Sequence, residues 1–128
     1  MKVIYICHEY GGKEENKNKI EQLIRKLVKQ YPDYIFVSAV NAFGYLYNDV
    51  DYNKGIKWCL WLLSKCDELW AIAERSESKG CLIEKDYCLK HNKPVKHYPC
   101  FMCDYNNHFK CGKDFCILPK CIIREKGG

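Results

Sequence analysis

Val3-Ile4-Tyr5-Ile6-Cys7 runs directly into His8-Glu9-Tyr10-Gly11-Gly12, and this junction decides the fold. Five consecutive apolar residues, β-branched and aromatic among them, are too few for an amphipathic helix and do not alternate with polar ones. Such a run fits a strand covered on both faces, as in a parallel sheet. The glycine pair after it permits a tight turn, because glycine alone tolerates positive φ without steric cost. Downstream, Ile20, Leu23, Ile24, Leu27, Val28 and Tyr31 recur at helical spacing among Lys, Glu and Gln. That helix is expected to stop before Pro32, whose ring disfavours helical backbone in the residue preceding it. Tyr34-Ile35-Phe36-Val37 reads as a second buried strand, and Ser38 to Asn53 as a loop of polar and aromatic residues. Ile56, Cys59, Leu60, Leu62 and Leu63 form the inner face of a second helix over Tyr52 to Lys65. Glu68 to Ala73 is a third strand, Ser78 caps a third helix reaching His91, and Val95 to Tyr98 is a short fourth strand.

Strands alternating with helices predict an α/β domain, Rossmann-like or flavodoxin-like, whose parallel sheet carries helices on both faces. Ligands in such sheets sit beyond the carboxyl ends of the strands, at the point where the strand order reverses. The segments 7–12, 38–47 and 74–80 should therefore surround one crevice. Helical and strand periodicity stop at Pro99, where the density of cysteine rises. The chain is accordingly divided into an α/β domain over 1–98 and a small Cys-rich tail over 99–128.

The 128 residues are 48% hydrophobic and 14% aromatic, a composition that buries a core and excludes disorder. The net charge of +5 comes from 21 Lys and Arg against 16 Asp and Glu, spread along the chain. A mild, unclustered excess favours small anions such as nucleotides and argues against a nucleic-acid partner, which calls for a basic stripe. The first apolar run is too short for a secretory signal, and no stretch approaches a membrane span. The expectation is a cytoplasmic protein without a membrane partner, its ten cysteines kept reduced and serving as core fillers or metal ligands. Cys100-Phe101-Met102-Cys103, followed by His108, Cys111, Cys116 and Cys121, suits a structural zinc ion held by Cys100, Cys103, Cys111 and Cys116. Free thiols packed against the domain are the alternative. No cofactor is expected in the main site.

Three segments, in this order, resemble the nucleoside 2-deoxyribosyltransferase-like superfamily, including its small phage and bacterial members of undefined activity. The first is the stretch from Val3 to Asn16, a strand followed by Gly-Gly and acidic residues. The second runs from Val40-Asn41-Ala42-Phe43-Gly44 through Asp51-Tyr52-Asn53-Lys54-Gly55 to Leu63–Trp70. The third runs from Ser78-Lys79-Gly80-Cys81-Leu82-Ile83-Glu84 to His91-Asn92-Lys93-Pro94-Val95. The resemblance implies N-glycosidic bond chemistry on a nucleoside or nucleotide, with Glu84 as nucleophile and Tyr5 positioning its carboxylate. It implies a homo-oligomer, and a sugar 5′ end or phosphate held by the turns at Gly11-Gly12 and Ser78–Gly80. The related enzymes carry an acidic residue on the second helix that aids leaving-group protonation, whereas the nearest position here is Cys59. A non-catalytic binder of a nucleotide or an ADP-ribose-like signal is therefore the competing reading.

The residues support this site independently. Glu84 shares a helix face with Gly80, Cys81, Tyr87 and Cys88, away from Lys85 and Lys90, so its carboxylate is expected to be partly desolvated and raised in pKa. A buried Tyr5 hydroxyl needs a partner, which a carboxylate across the strand ends would provide. Cys7, His8, Gly11 and Gly12 at the end of the first strand, Asn41 in the loop, and Ser76, Ser78 and Gly80 in the third turn are the candidate ligand contacts. Phe43 is expected in the core.

Overall fold

In the computed structural model, which describes residues 1–72 and 75–98, four strands run parallel: β1 (Lys2–Cys7), β2 (Tyr34–Val37), β3 (Glu68–Ile72) and β4 (Val95–Tyr98). They lie side by side in the order β2-β1-β3-β4, which is the flavodoxin-like order. The helices are α1 (Glu14–Gln30), α2 (Ala39–Phe43), α3 (Tyr52–Ser64) and α4 (Lys79–Lys90), with a 3-10 turn at Gly44–Leu46. This is the α/β fold with a parallel sheet flanked by helices that the sequence predicts.

The alternation of side chains along β1 divides the core. Ile4 and Ile6 face α1 and pack with Ile20, Leu23, Leu27, Trp70 and Ile72. Tyr5 and Cys7 face the other way, towards Leu63 of α3 and Cys81 and Cys88 of α4. Trp70 and Tyr98 stack at 5.7 Å on the α1 side, with Tyr31, Tyr34 and Phe36 against the same indole. Much of the unusual aromatic content is thus structural. β3 is buried along its whole length, Glu68 included. That carboxylate accepts from Lys2 Nζ at 2.8 Å and Trp70 Nε1 at 3.0 Å, and pairs with Lys96 Nζ at 3.2 Å. It is satisfied at the amino end of the sheet, opposite the crevice, so it belongs to the fold.

One segment differs from expectation. The stretch from Ser38 to Asn53 is not all loop but contains α2 and the 3-10 turn. Ser38 starts α2 by accepting from the Asn41 backbone N–H at 3.4 Å, and Ala39 is buried beneath it. The switch point falls between β1 and β3: α1 leaves β1 on one face, while the chain returns from β2 through α3 on the other. Residues 73 and 74 and all residues from 99 onward lie outside the described residues. The expected zinc ligands Cys100, Cys103, Cys111 and Cys116 fall in that portion. Among the described residues no helix is long and apolar enough to cross a membrane.

Candidate functional site

At the carboxyl end of the sheet, β1 brings Tyr5 and Cys7 against the first two turns of α4. That helix begins at Ser78, whose hydroxyl accepts from the Cys81 backbone N–H at 3.3 Å. The cap fixes the helix phase and so places Cys81 and Glu84, three residues apart, on one face towards the strand. Glu84 is only 7% exposed. Tyr5 Oη donates a short hydrogen bond to Glu84 Oε2, and Cys7 Sγ donates to Oε1 at 3.4 Å.

The electrostatics follow from this burial. Desolvation pushes the Glu84 carboxyl up to about 7, against the opposing pull of the hydrogen bonds from Tyr5 and Cys7. Burial, reinforced by the nearby Glu84 charge, holds the Tyr5 phenol well above its ordinary value, so it remains a proton donor. The Cys59 thiol is pushed up to about 12, by burial first and then by Glu84. Hydrogen bonding between the Cys7 and Cys81 thiols, with burial second, raises Cys7, and the same bonding lowers Cys81. The Cys81 sulfur is therefore the readier of the two to become a thiolate.

Glu84 and Tyr5 form part of the wall of a cavity of about 470 Å³, within the range of small-molecule sites. The same wall carries Cys59, Phe43, Trp58, Tyr10, Tyr47 and Tyr52, with Ser78, Lys79 and Gly80 from the start of α4. Tyr10 and Tyr47 meet edge to face at 5.1 Å, and Phe43 packs on Trp58 at 5.6 Å.

His8 also lines the cavity, and it is 94% buried by the complement of its 6% exposure. Its Nδ1 lies 2.7 Å from the Glu9 carbonyl oxygen. A carbonyl only accepts, so Nδ1 carries the hydrogen and Nε2 is left with a bare lone pair. That Nε2 has no hydrogen-bond partner among the described residues. Burial lowers the His8 pKa, which keeps the ring neutral. A buried acceptor without a donor is costly, and a ligand donor in the cavity would relieve it.

The other sequence candidates divide. Gly11 (φ +62°), Ser78 and Gly80 are on the wall. Gly12 (φ +73°) is behind it, where an added Cβ would come within 3.1 Å of the Tyr47 ring. Ser76 is fully buried and Cys7 touches Glu84, but neither is on the wall. Asn41 does not face the cavity: it is exposed, and its Nδ2 donates to Glu21 of α1 at 3.0 Å. The capped start of α2 turns it outward, a geometry that a loop reading could not supply. Tyr10, Tyr52 and Trp58 were not picked out from the sequence, where their only signal was aromatic density, whereas Lys79 lies in the Ser78–Gly80 turn that was.

Asp51 is the second carboxylate on the wall, but its Oδ1 accepts from the Lys54 backbone N–H at 2.9 Å and caps α3. Asp51→Ala is expected to cost about 1 kcal/mol of stability, read as a lower urea midpoint with an unchanged slope. An unchanged midpoint would show that the carboxylate is not held as a cap.

A family model described as a domain of unknown function, DUF7768, matches residues 2–98. The chain belongs to the DUF7768 family. No curated protein matches it. Tyr5, Cys7, His8, Cys81 and Glu84 all lie within the matched part of this DUF7768 domain. In chemical terms the site offers a buried carboxyl titrating near neutrality, a phenol bonded to it and an unpaired imidazole acceptor. It also offers three potential metal ligands, since atoms of Cys7, Cys81 and Glu84 lie within 4.8 Å of one another.

Proposed function

We propose that this protein cleaves or transfers at the N-glycosidic bond of a nucleoside or nucleotide, with Glu84 as nucleophile. The observation that carries the reading is the Glu84 carboxyl, buried on the cavity wall and held by the Tyr5 hydroxyl. In its ionised form it attacks the anomeric carbon, and the bond to the base breaks with the electron pair leaving on nitrogen. The base then takes a proton from water. Water, or a second free nucleobase that gives up its N–H proton as the new bond forms, displaces Glu84 from the glycosyl ester and frees the carboxylate. Tyr5 fixes the carboxylate orientation, and the aromatic walls supply faces for a base to stack on. The residue-by-residue resemblance to the deoxyribosyltransferase-like superfamily points the same way.

The test is incubation with a panel of nucleosides and 5′-mononucleotides, followed by chromatography for free base and mass spectrometry for a glycosylated protein. Base release or an adduct at Glu84 supports the reading. Neither product from any member of the panel overturns it. One observation favours a second reading, of binding without turnover. The position nearest the second acid is Cys59, and a thiol titrating at about 12 is a poor proton donor to a leaving base. Tight nucleotide binding without base release, unchanged in Glu84→Gln, decides for the binder.

Both readings give His8 a role. The bare Nε2 selects a ligand with an N–H or O–H donor at that point, so His8→Phe is expected to weaken binding roughly tenfold. Calorimetric titration with the best nucleotide of the panel checks it. Equal affinity would remove His8 from the site.

A further inference from the structure

We propose that Cys7, Cys81 and Glu84 form a zinc site whose fourth position opens into the cavity. The reasoning starts from ligand spacing. Zinc takes thiolate sulfur at about 2.3 Å and carboxylate oxygen at about 2.0 Å, which in a tetrahedron puts sulfur and oxygen about 3.5 Å apart. Cys7 Sγ and Glu84 Oε1 are 3.4 Å apart, and the three ligand atoms all lie within 4.8 Å of one another. Little movement is needed for them to close on one ion. The donor set of two sulfurs and one oxygen fits zinc and disfavours magnesium or calcium, which take oxygen ligands alone.

The placement is that of an open site rather than a closed structural one. Among the described residues the ligand group stops at three, and Cys81 and Glu84 are both on the cavity wall. An ion there would keep one position for water or for a ligand donor entering the cavity, the arrangement of reactive zinc centres. The ligands come from rigid elements, Cys7 from β1 and the other two from successive turns of α4, so the spacing is built into the fold. All three are buried. Binding requires the thiols to lose their protons, so it releases protons and strengthens with rising pH. This inference goes beyond the glycosidic reading and competes with it for one residue, since a carboxylate bound to zinc is not free to attack a sugar.

The experiment is titration of the full chain, reduced and metal-free, with zinc under anaerobic conditions, alongside cobalt(II) as a spectroscopic probe. Glu84→Gln, which keeps the side-chain shape, and Cys81→Ser are compared with Cys88→Ser, a buried thiol outside the group. The wild type and Cys88→Ser are expected to take up one more ion per chain than Cys81→Ser, any ion held by the tail cysteines being common to all three. Glu84→Gln is expected to weaken that ion by roughly 100-fold, since even groups that merely support metal ligands matter 10–100-fold. Thiolate-to-cobalt absorption should fall in Cys81→Ser and be unchanged in Cys88→Ser. Identical stoichiometry and affinity in wild type and Glu84→Gln would overturn the proposal, even if Cys81→Ser failed to fold. Metal uptake is read without substrate, so the two readings fail separately. Base release without zinc uptake removes only this one, and zinc uptake without base release removes only the other.

Discussion

Glu84→Gln is expected to abolish base release and, in the same protein, to raise stability above neutral pH. The first effect follows from chemistry. An amide cannot form the glycosyl ester, so turnover should drop on the order of 10³-fold or more. The second follows from linkage. Glu84 rises from an ordinary 4.5 to about 7 in the folded chain. Below 4.5 the carboxyl is protonated both folded and unfolded, so its neutral form sits in the core without penalty. As pH climbs towards 7 the unfolded chain ionises and the folded one resists, and stability falls until both are ionised. A rise of that size corresponds to about 3 kcal/mol lost between acid and alkaline conditions. Glutamine carries no charge at either end, so its unfolding free energy in urea relative to wild type should climb between pH 5 and pH 8 by that order. A constant gap between the two proteins across that range would show that Glu84 is not a desolvated acid in the folded state.

The two halves of that expectation show which parts of the protein could be read from sequence. The four strands and three long helices were legible because each is a local pattern: Val3–Cys7 is a short apolar run, and Ile20, Leu23 and Leu27 keep one helical face. Short α2 was not, because five residues do not complete two turns and Ser38 gives only half of a capping pattern. At the site, Glu84 was legible from its sparsely charged helix face, and Tyr5 through its need for a partner. The cluster of Cys7 with Cys81 was not, because their proximity exists only once β1 is laid against α4. As separate residues both read as small hydrophobes, which in packing terms they also are. The unpaired His8 acceptor was equally invisible, since it depends on Nδ1 being engaged by the neighbouring carbonyl. Asn41 was misplaced for the same reason in reverse, its direction being set by a helix the sequence pattern does not announce.

The pH dependence of turnover offers the sharpest test of how Tyr5 and Glu84 work together. On the glycosidic reading Glu84 must be ionised to attack, and burial holds its carboxyl at about 7, so the rate should rise with pH through neutrality and fall tenfold per unit well below it. Between pH 7.5 and pH 5 the expected loss is roughly 100-fold. The Tyr5 hydrogen bond favours the charged carboxylate and so pulls the Glu84 value down against desolvation. Removing the hydroxyl in Tyr5→Phe leaves desolvation unopposed on that oxygen, and the acid limb must move to higher pH. At pH 7 the variant should therefore be slower than wild type, yet recover part of the difference at pH 8.5 and above, where the carboxylate ionises in both. A purely structural role for Tyr5 would lower the rate by one factor at every pH and leave the limb in place. Full pH profiles of kcat for wild type and Tyr5→Phe separate these outcomes. A limb that shifts to lower pH would contradict the sign of the Tyr5 contribution, and with it the claim that this phenol stabilises the attacking carboxylate.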